Sequence, residues 1–159
     1  MIEFILDRIK MAIQNATNDV DVKIAVDEFD ILSKINDAAG SDIAVLDVGN
    51  EDILGDVPEV GVCATTFDVY VARSFGLAEI TDSDFFKRQD TGKPLWVLRN
   101  EIRDAIRNIV IPNELNIFET NYLLYYGAKR FDTPYNLRAA AFVLTFKITG
   151  KLPELNSQQ

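Results

Sequence analysis

Four acids lie close together along the chain, Asp47, Glu51, Asp52 and Asp56. Carboxylates of this kind hold Mg²⁺ in two-metal nucleases, alongside a positioning lysine or arginine. Nothing in their spacing forces convergence, and solvated loop charge is the competing reading. Asp82-Ser83-Asp84 opens like a calcium loop, but no glycine and terminal glutamate follow at the required offsets. Gly92-Lys93-Pro94 lacks the upstream glycine and the hydroxyl of a phosphate-cradling loop, and no Gly-x-Gly-x-x-Gly follows a strand. The chain has no histidine, which removes His-based triads, proton relays and zinc sites built on Cys and His. Cys63 is the single cysteine. It makes no intrachain disulfide, and in a Val-Thr-Phe strand without a polarising base its expected role is core packing. No catalytic residue, cofactor site or metal site is assigned, and the chain reads as a non-enzyme.

Side chains suited to contact are easier to find. Phe85 and Phe86 stand among Asp82, Asp84, Lys87 and Arg88. They either fold back onto the core or dock in a neighbouring subunit, because aromatics with arginine are enriched at interface centres. The same two readings apply to Tyr122, Tyr125, Tyr126 and Phe131. Arg99, Arg103 and Arg107 read as a solvated helix face, with pairing to an acidic neighbour as the alternative.

Charge and composition limit the partners. Residues 1–59 hold 14 acids against 4 bases, a balance of −10, while residues 60–159 hold 11 against 12, a balance of +1. A surface of that sign repels phosphate and gives no basic stripe for gripping nucleic acid. No apolar run reaches the 18 residues of a membrane-spanning helix, and the acidic opening Met1 to Asp7 does not read as a secretion signal. At 159 residues the expected organisation is one domain over 1–150 and a flexible tail over 151–159.

The elements that position these residues follow from periodicity. Ile2, Ile5, Leu6, Ile9, Ile13 and Ala16 recur at helical spacing, and Val20, Val22, Ile24 and Val26 then alternate with polar residues as a half-buried strand. A short helix is expected between Glu28 and Gly40, and a strand from Ile43 to Val48. An acidic loop over 49–59 and a strand from about Val60 to Arg73 come next. The connection from Ser74 to Gly92, about 19 residues, is long enough to be functional or mobile. A helix begins near Pro94 with Leu95, Leu98, Ile102, Ala105 and Ile109 as its apolar stripe, and Pro112 stops it. Two long strands close the chain, Glu114–Tyr126 and Tyr135–Thr149, joined by Gly127 to Pro134. At about 3.3 Å per residue each would reach about 43 Å, so they are expected to bend or project. The order predicts an α+β fold: a single mixed, mostly antiparallel sheet, helices packed on one face, and a long C-terminal β-hairpin.

This order resembles the tail terminator and neck proteins of tailed bacteriophages, of the lambda tail terminator type. The likeness is carried by the helix opening Met-Ile-Glu-Phe-Ile and the short alternating strand after it. The strand ending Asp68-Val69-Tyr70-Val71-Ala72-Arg73-Ser74, the long loop, the helix Leu95–Ile109 and the closing strand Arg138 to Ile148 complete it. The resemblance implies a structural virion protein of the tail or neck, assembled in the host cytoplasm. It implies a homo-hexameric ring that caps the tail tube and joins it to the head connector, with DNA passing through the bore without specific binding. Tail tube and head–tail connector proteins are then its partners, and no membrane is involved. The residues over 49–59 and 74–92 would be the contact arms. Two other classes stay open, a small acidic inhibitor or immunity-type protein and a carboxylate-metal nuclease.

Overall fold

The computed structural model describes residues 2–38, 41–54, 62–74, 93–112, 122–133 and 139–151. The elements are α1 (Ile2–Ala16), β1 (Val20–Ile24), α2 (Glu28–Asp37), β2 (Asp42–Leu54), β3 (Val62–Ser74), α3 (Leu95–Arg107), β4 (Leu124–Phe131) and β5 (Ala139–Lys151). The strands form one five-stranded sheet in the order β1-β2-β3-β5-β4. β1 runs parallel to β2, and the β2–β3, β3–β5 and β5–β4 pairs are antiparallel. The expected α+β class and mixed, mostly antiparallel sheet are therefore present.

The helices do not share one face, which corrects the sequence expectation. α1 and α3 lie against the first face. Ile5, Ile9 and Ile13 of α1 and Leu98, Ile102 and Ile106 of α3 join Ala44, Leu46, Phe67, Val69, Val71, Leu144 and Phe146 in the larger core. α2 lies on the opposite face, where Ile31 and Ile35 cover Ile43, Val45, Ala72 and Ala141. The reason is topological. Two adjacent parallel strands need a crossover between them, and α2 makes it, passing over the face that α1 and α3 leave free. Alternating residues of β2 thus meet different helices, and Ile43-Ala44-Val45-Leu46 is buried throughout.

Local signals set most boundaries. Thr17 ends α1 with its amide and its hydroxyl both donating to the Ile13 carbonyl. Asp27 caps α2, accepting from the Asp30 amide at 2.7 Å, while the Asp30 carboxylate accepts from the Val26 amide at 2.9 Å. That cap stops β1 at Ile24, short of the expected Val26. Pro94 takes the N-cap position of α3, which ends at Arg107 through the Asn108 amide, well before Pro112.

Three further expectations shift. The acidic segment 49–54 is not loop but continues β2 past an irregularity between Val48 and Glu51; residues 55–61 lie outside the described residues. The penultimate strand is Leu124–Phe131, not Glu114–Tyr126, so the hairpin's first arm is 8 residues long. Its pairing shifts between Tyr125 and Ala128, and Gly127, read in the sequence as the start of the connection, lies at φ 106° within that bulge. The tail beyond Lys151 lies outside the described residues.

The α1–α3 contact fastens both helices to the sheet, so it should dominate stability. Ile102→Ala is expected to remove about 2–5 kcal/mol in chemical denaturation. Met11→Ala on the exposed side of α1 is expected to stay within about 0.5 kcal/mol.

Candidate functional site

Three of the four acids considered for a metal, Asp47, Glu51 and Asp52, lie along β2. Asp47 faces the side of the sheet that α2 covers, and its cross-strand partner on β3 is Asp68. Glu51 and Asp52 follow along β2, where their backbones pair with Thr65 and Ala64, so an extended strand separates them from Asp47. Asp56 lies outside the described residues, as do Asp82, Asp84, Phe85, Phe86, Lys87 and Arg88. Among the described residues no group of three or more His, Cys, Asp or Glu side chains is placed to hold a metal. Cys63 is buried in the larger core with Phe67 and Ile148.

The Asp47–Asp68 pair is a feature that the sequence did not reveal, because it depends on register. Thr145 on β5 donates its hydroxyl to Asp68 at 2.9 Å. Burial, and then the charge of Asp68, push the Asp47 carboxyl above its usual range. Tyr70 stands two residues along β3 on the same face. Its hydroxyl is pushed up to about 12, by burial first and then by Asp68, Asp47 and Glu28. It therefore stays protonated at neutral pH. The cluster is an anionic patch with a phenol beside it.

A second polar cluster sits at the end of the first face. Asp42 and Arg73 are cross-strand partners, both buried, and Arg73 grips Asp42 with Nε at 2.8 Å and Nη2 at 3.3 Å. Nη2 also donates to the Lys93 carbonyl at 2.9 Å, while Lys93 Nζ meets Glu101 at 2.9 Å. Arg73 thus ties the end of β3 to Lys93, two residues before α3. Its Nη1 is buried with no hydrogen-bond partner among the described residues. A cleft of about 150 Å³ opens nearby, lined by Thr17, Asn18, Asp19, Asp42 and Lys93 among others.

The predicted contact aromatics lie within or beside β4, with Phe131 at the hairpin end of that strand. Tyr125 packs on Phe146 of the larger core, with ring centroids 5.2 Å apart. Phe131 meets Tyr70 edge-on at 5.1 Å on the other face. Both folded-back readings hold for these two. Tyr126 stays 60% exposed, with Lys147 Nζ 4.7 Å from its ring centre. The arginines of α3 are not uniformly solvated. The Arg99 guanidinium lies 4.8 Å over Phe142 of β5, and Arg103 bonds Asp104 and Asn100 of its own helix. Only Arg107 of the three is exposed.

Val26 and Phe29 also escaped sequence reading. They are 86% and 83% exposed at the start of α2, beside the β1 edge. The signal that could have found them is Asp27-x-x-Asp30, a helix start that ends the strand before Val26.

No protein-family model matches the chain, and no curated protein matches it either. Among the described residues no helix is long and apolar enough to cross a membrane.

Two measurements test the electrostatics. A carboxyl raised in the fold gives stability that is full below its unfolded value, near 3.8, and is lost as pH rises past the raised one. Asp47→Asn should therefore stabilise the chain at pH 7 by about 0.2–1 kcal/mol, with the gain vanishing below about pH 4. At the clasp, Arg73→Met should cost about 3–5 kcal/mol by removing the buried guanidinium that pairs with Asp42, and Asp42→Leu with Arg73→Met should recover most of that loss.

Proposed function

We propose that this chain is a structural subunit of a tailed-phage virion, a tail terminator that closes into a ring on the tail tube and joins it to the head connector. The carrying observation is the pair of sheet edges. β1 and β2 run one way, β3 the other, β5 with β2, and β4 with β3. The two outer strands are therefore antiparallel to each other, so β4 of one copy set beside β1 of the next would continue the antiparallel pattern.

The edges also differ in charge. Residues 19–30, around β1 and the start of α2, hold five acids and one lysine. β4 holds Lys129 and Arg130 and no acid. A head-to-tail contact between unlike edges is heterologous, and when its rotation closes it generates a ring. Opposite charge favours such a contact and fixes its direction. An acidic bore would let DNA slide, since carboxylates repel phosphate. In this reading the protein catalyses nothing, and its partners are its own copies, the tube and the connector.

An acidic inhibitor is the second reading, favoured by the acidic N-terminal edge alone. It leaves the basic β4 edge without a role and predicts a monomer or dimer that binds a basic enzyme one to one.

Light scattering with negative-stain microscopy separates the two. The ring reading expects a particle near six times 17.9 kDa with a central hole, either in solution or once tail tubes are added. It also expects assembly to weaken as salt rises. A chain that stays monomeric in both settings overturns it.

A further inference from the structure

We infer that the cleft between the last turn of α3 and the start of β4 is the docking seat for this chain's own residues 152–155, Leu-Pro-Glu-Leu, with Leu152 against Tyr122 and Leu123 and the Glu154 carboxylate on Arg107. The inference is independent of the ring reading above.

The cleft lies at the end of a row of arginines and aromatics. α3 carries Arg99, Arg103 and Arg107 four residues apart, so they follow one another along one side of the helix. Arg99 lies 4.8 Å over Phe142 of β5. Asp104 foremost, and Tyr125 more weakly, raise the Arg103 guanidinium above its ordinary value, and the Tyr125 ring packs on Phe146. The helix therefore advances with β5 from Phe142 to Phe146, and its third arginine comes near the end of that strand. There a cleft of about 360 Å³ is lined by Arg107, Tyr122, Leu123, Leu124 and Tyr125. Leu123 belongs to the larger core, while Tyr122 is 47% exposed. Arg107 is exposed, and among the described residues it has no ion-pair partner. A single cation beside an apolar floor suits an acid flanked by apolar residues.

The end of β5 supplies that occupant. Leu124 pairs with Lys147, so the same register brings Tyr122 level with Thr149. β5 stops at Lys151, about 7 Å farther on. Phe146 and Ile148 face the larger core, and residues 150 and 152 are next in that alternation. Leu152 precedes a proline, which restricts it to extended backbone, and Pro153 has no amide to prolong the ladder. The chain thus leaves the sheet beside the cleft with an apolar residue due on the α3 side. Four residues reach at most about 14 Å, enough to bring Glu154 back to Arg107. Glu154 is also the one charged residue of 152–159.

The test reads amide order parameters on the full chain, below any concentration at which it assembles. Leu152, Glu154 and Leu155 should give values near 0.8, with Gln158 and Gln159 below about 0.6. Arg107→Glu and Glu154→Arg should each drop the three below about 0.6, and the two together should restore them. Arg107 is exposed, so Arg107→Glu should keep the circular dichroism of the parent. A parent whose order falls away directly after Lys151 overturns the docking. So does a segment that stays rigid in Arg107→Glu, or nuclear Overhauser contacts from Tyr122 and Leu123 to residues 113–121 in place of 152–155. None of these outcomes depends on whether rings form.

Discussion

The rest of the structure depends on the burial of β2, β3 and β5 on both faces. Ile43 and Val45 lie under α2, while Ala44 and Leu46 lie under α1 and α3. Ala72 and Ala141 continue the α2 side, and Val71, Val69, Leu144 and Phe146 continue the other. Among the described residues three helices cover this central region, and β1 and β4 border the sheet. β1 is only five residues long, and β4 carries a bulge and two basic side chains, both common ways to discourage indiscriminate edge pairing. Edges managed in this way resist random aggregation.

Charge is handled differently at the two ends of the central strands. Asp42 and Arg73 are buried as a matched pair, in which Arg73 makes three donations and joins β3 to the start of α3. Such a pair adds little net stability compared with apolar packing, but it allows few alternative geometries. Asp47 and Asp68 are instead a like-charged pair across two strands, relieved by Thr145 and by the raised carboxyl of Asp47. The fold thus keeps an unfavourable acidic pair on a face where an opposite charge would have stabilised it.

Much of the fold was legible because helical and strand periods differ so clearly. α1, α3 and β5 follow from the spacing of their apolar residues, and β3 from a run rich in Val, Thr, Phe and Tyr. The side taken by α2 was also written in the sequence. Ile43-Ala44-Val45-Leu46 does not alternate, and an unbroken apolar run in a strand signals cover on both faces. Gly127 reads equally as a turn or a bulge, and only pairing with β5 decides between them. The Asp47–Asp68 pair could not be read, since a register shift of one residue would have sent the two side chains to opposite faces. Val26 was misread for a local reason, in that its alternation with Ile24 hid the helix cap beginning at Asp27.

The central claim is that two unlike edges of one open sheet meet between copies, and amide hydrogen exchange reads it directly. Exchange should be compared below and above the concentration at which the chain assembles, or with and without tail tubes. The account predicts that amides of Val20–Ile24 and Leu124–Phe131 slow together on assembly, while the already paired core of β3 changes little. Protection confined to the outer surfaces of α1 and α3, with both edges exchanging as in the free chain, would contradict it.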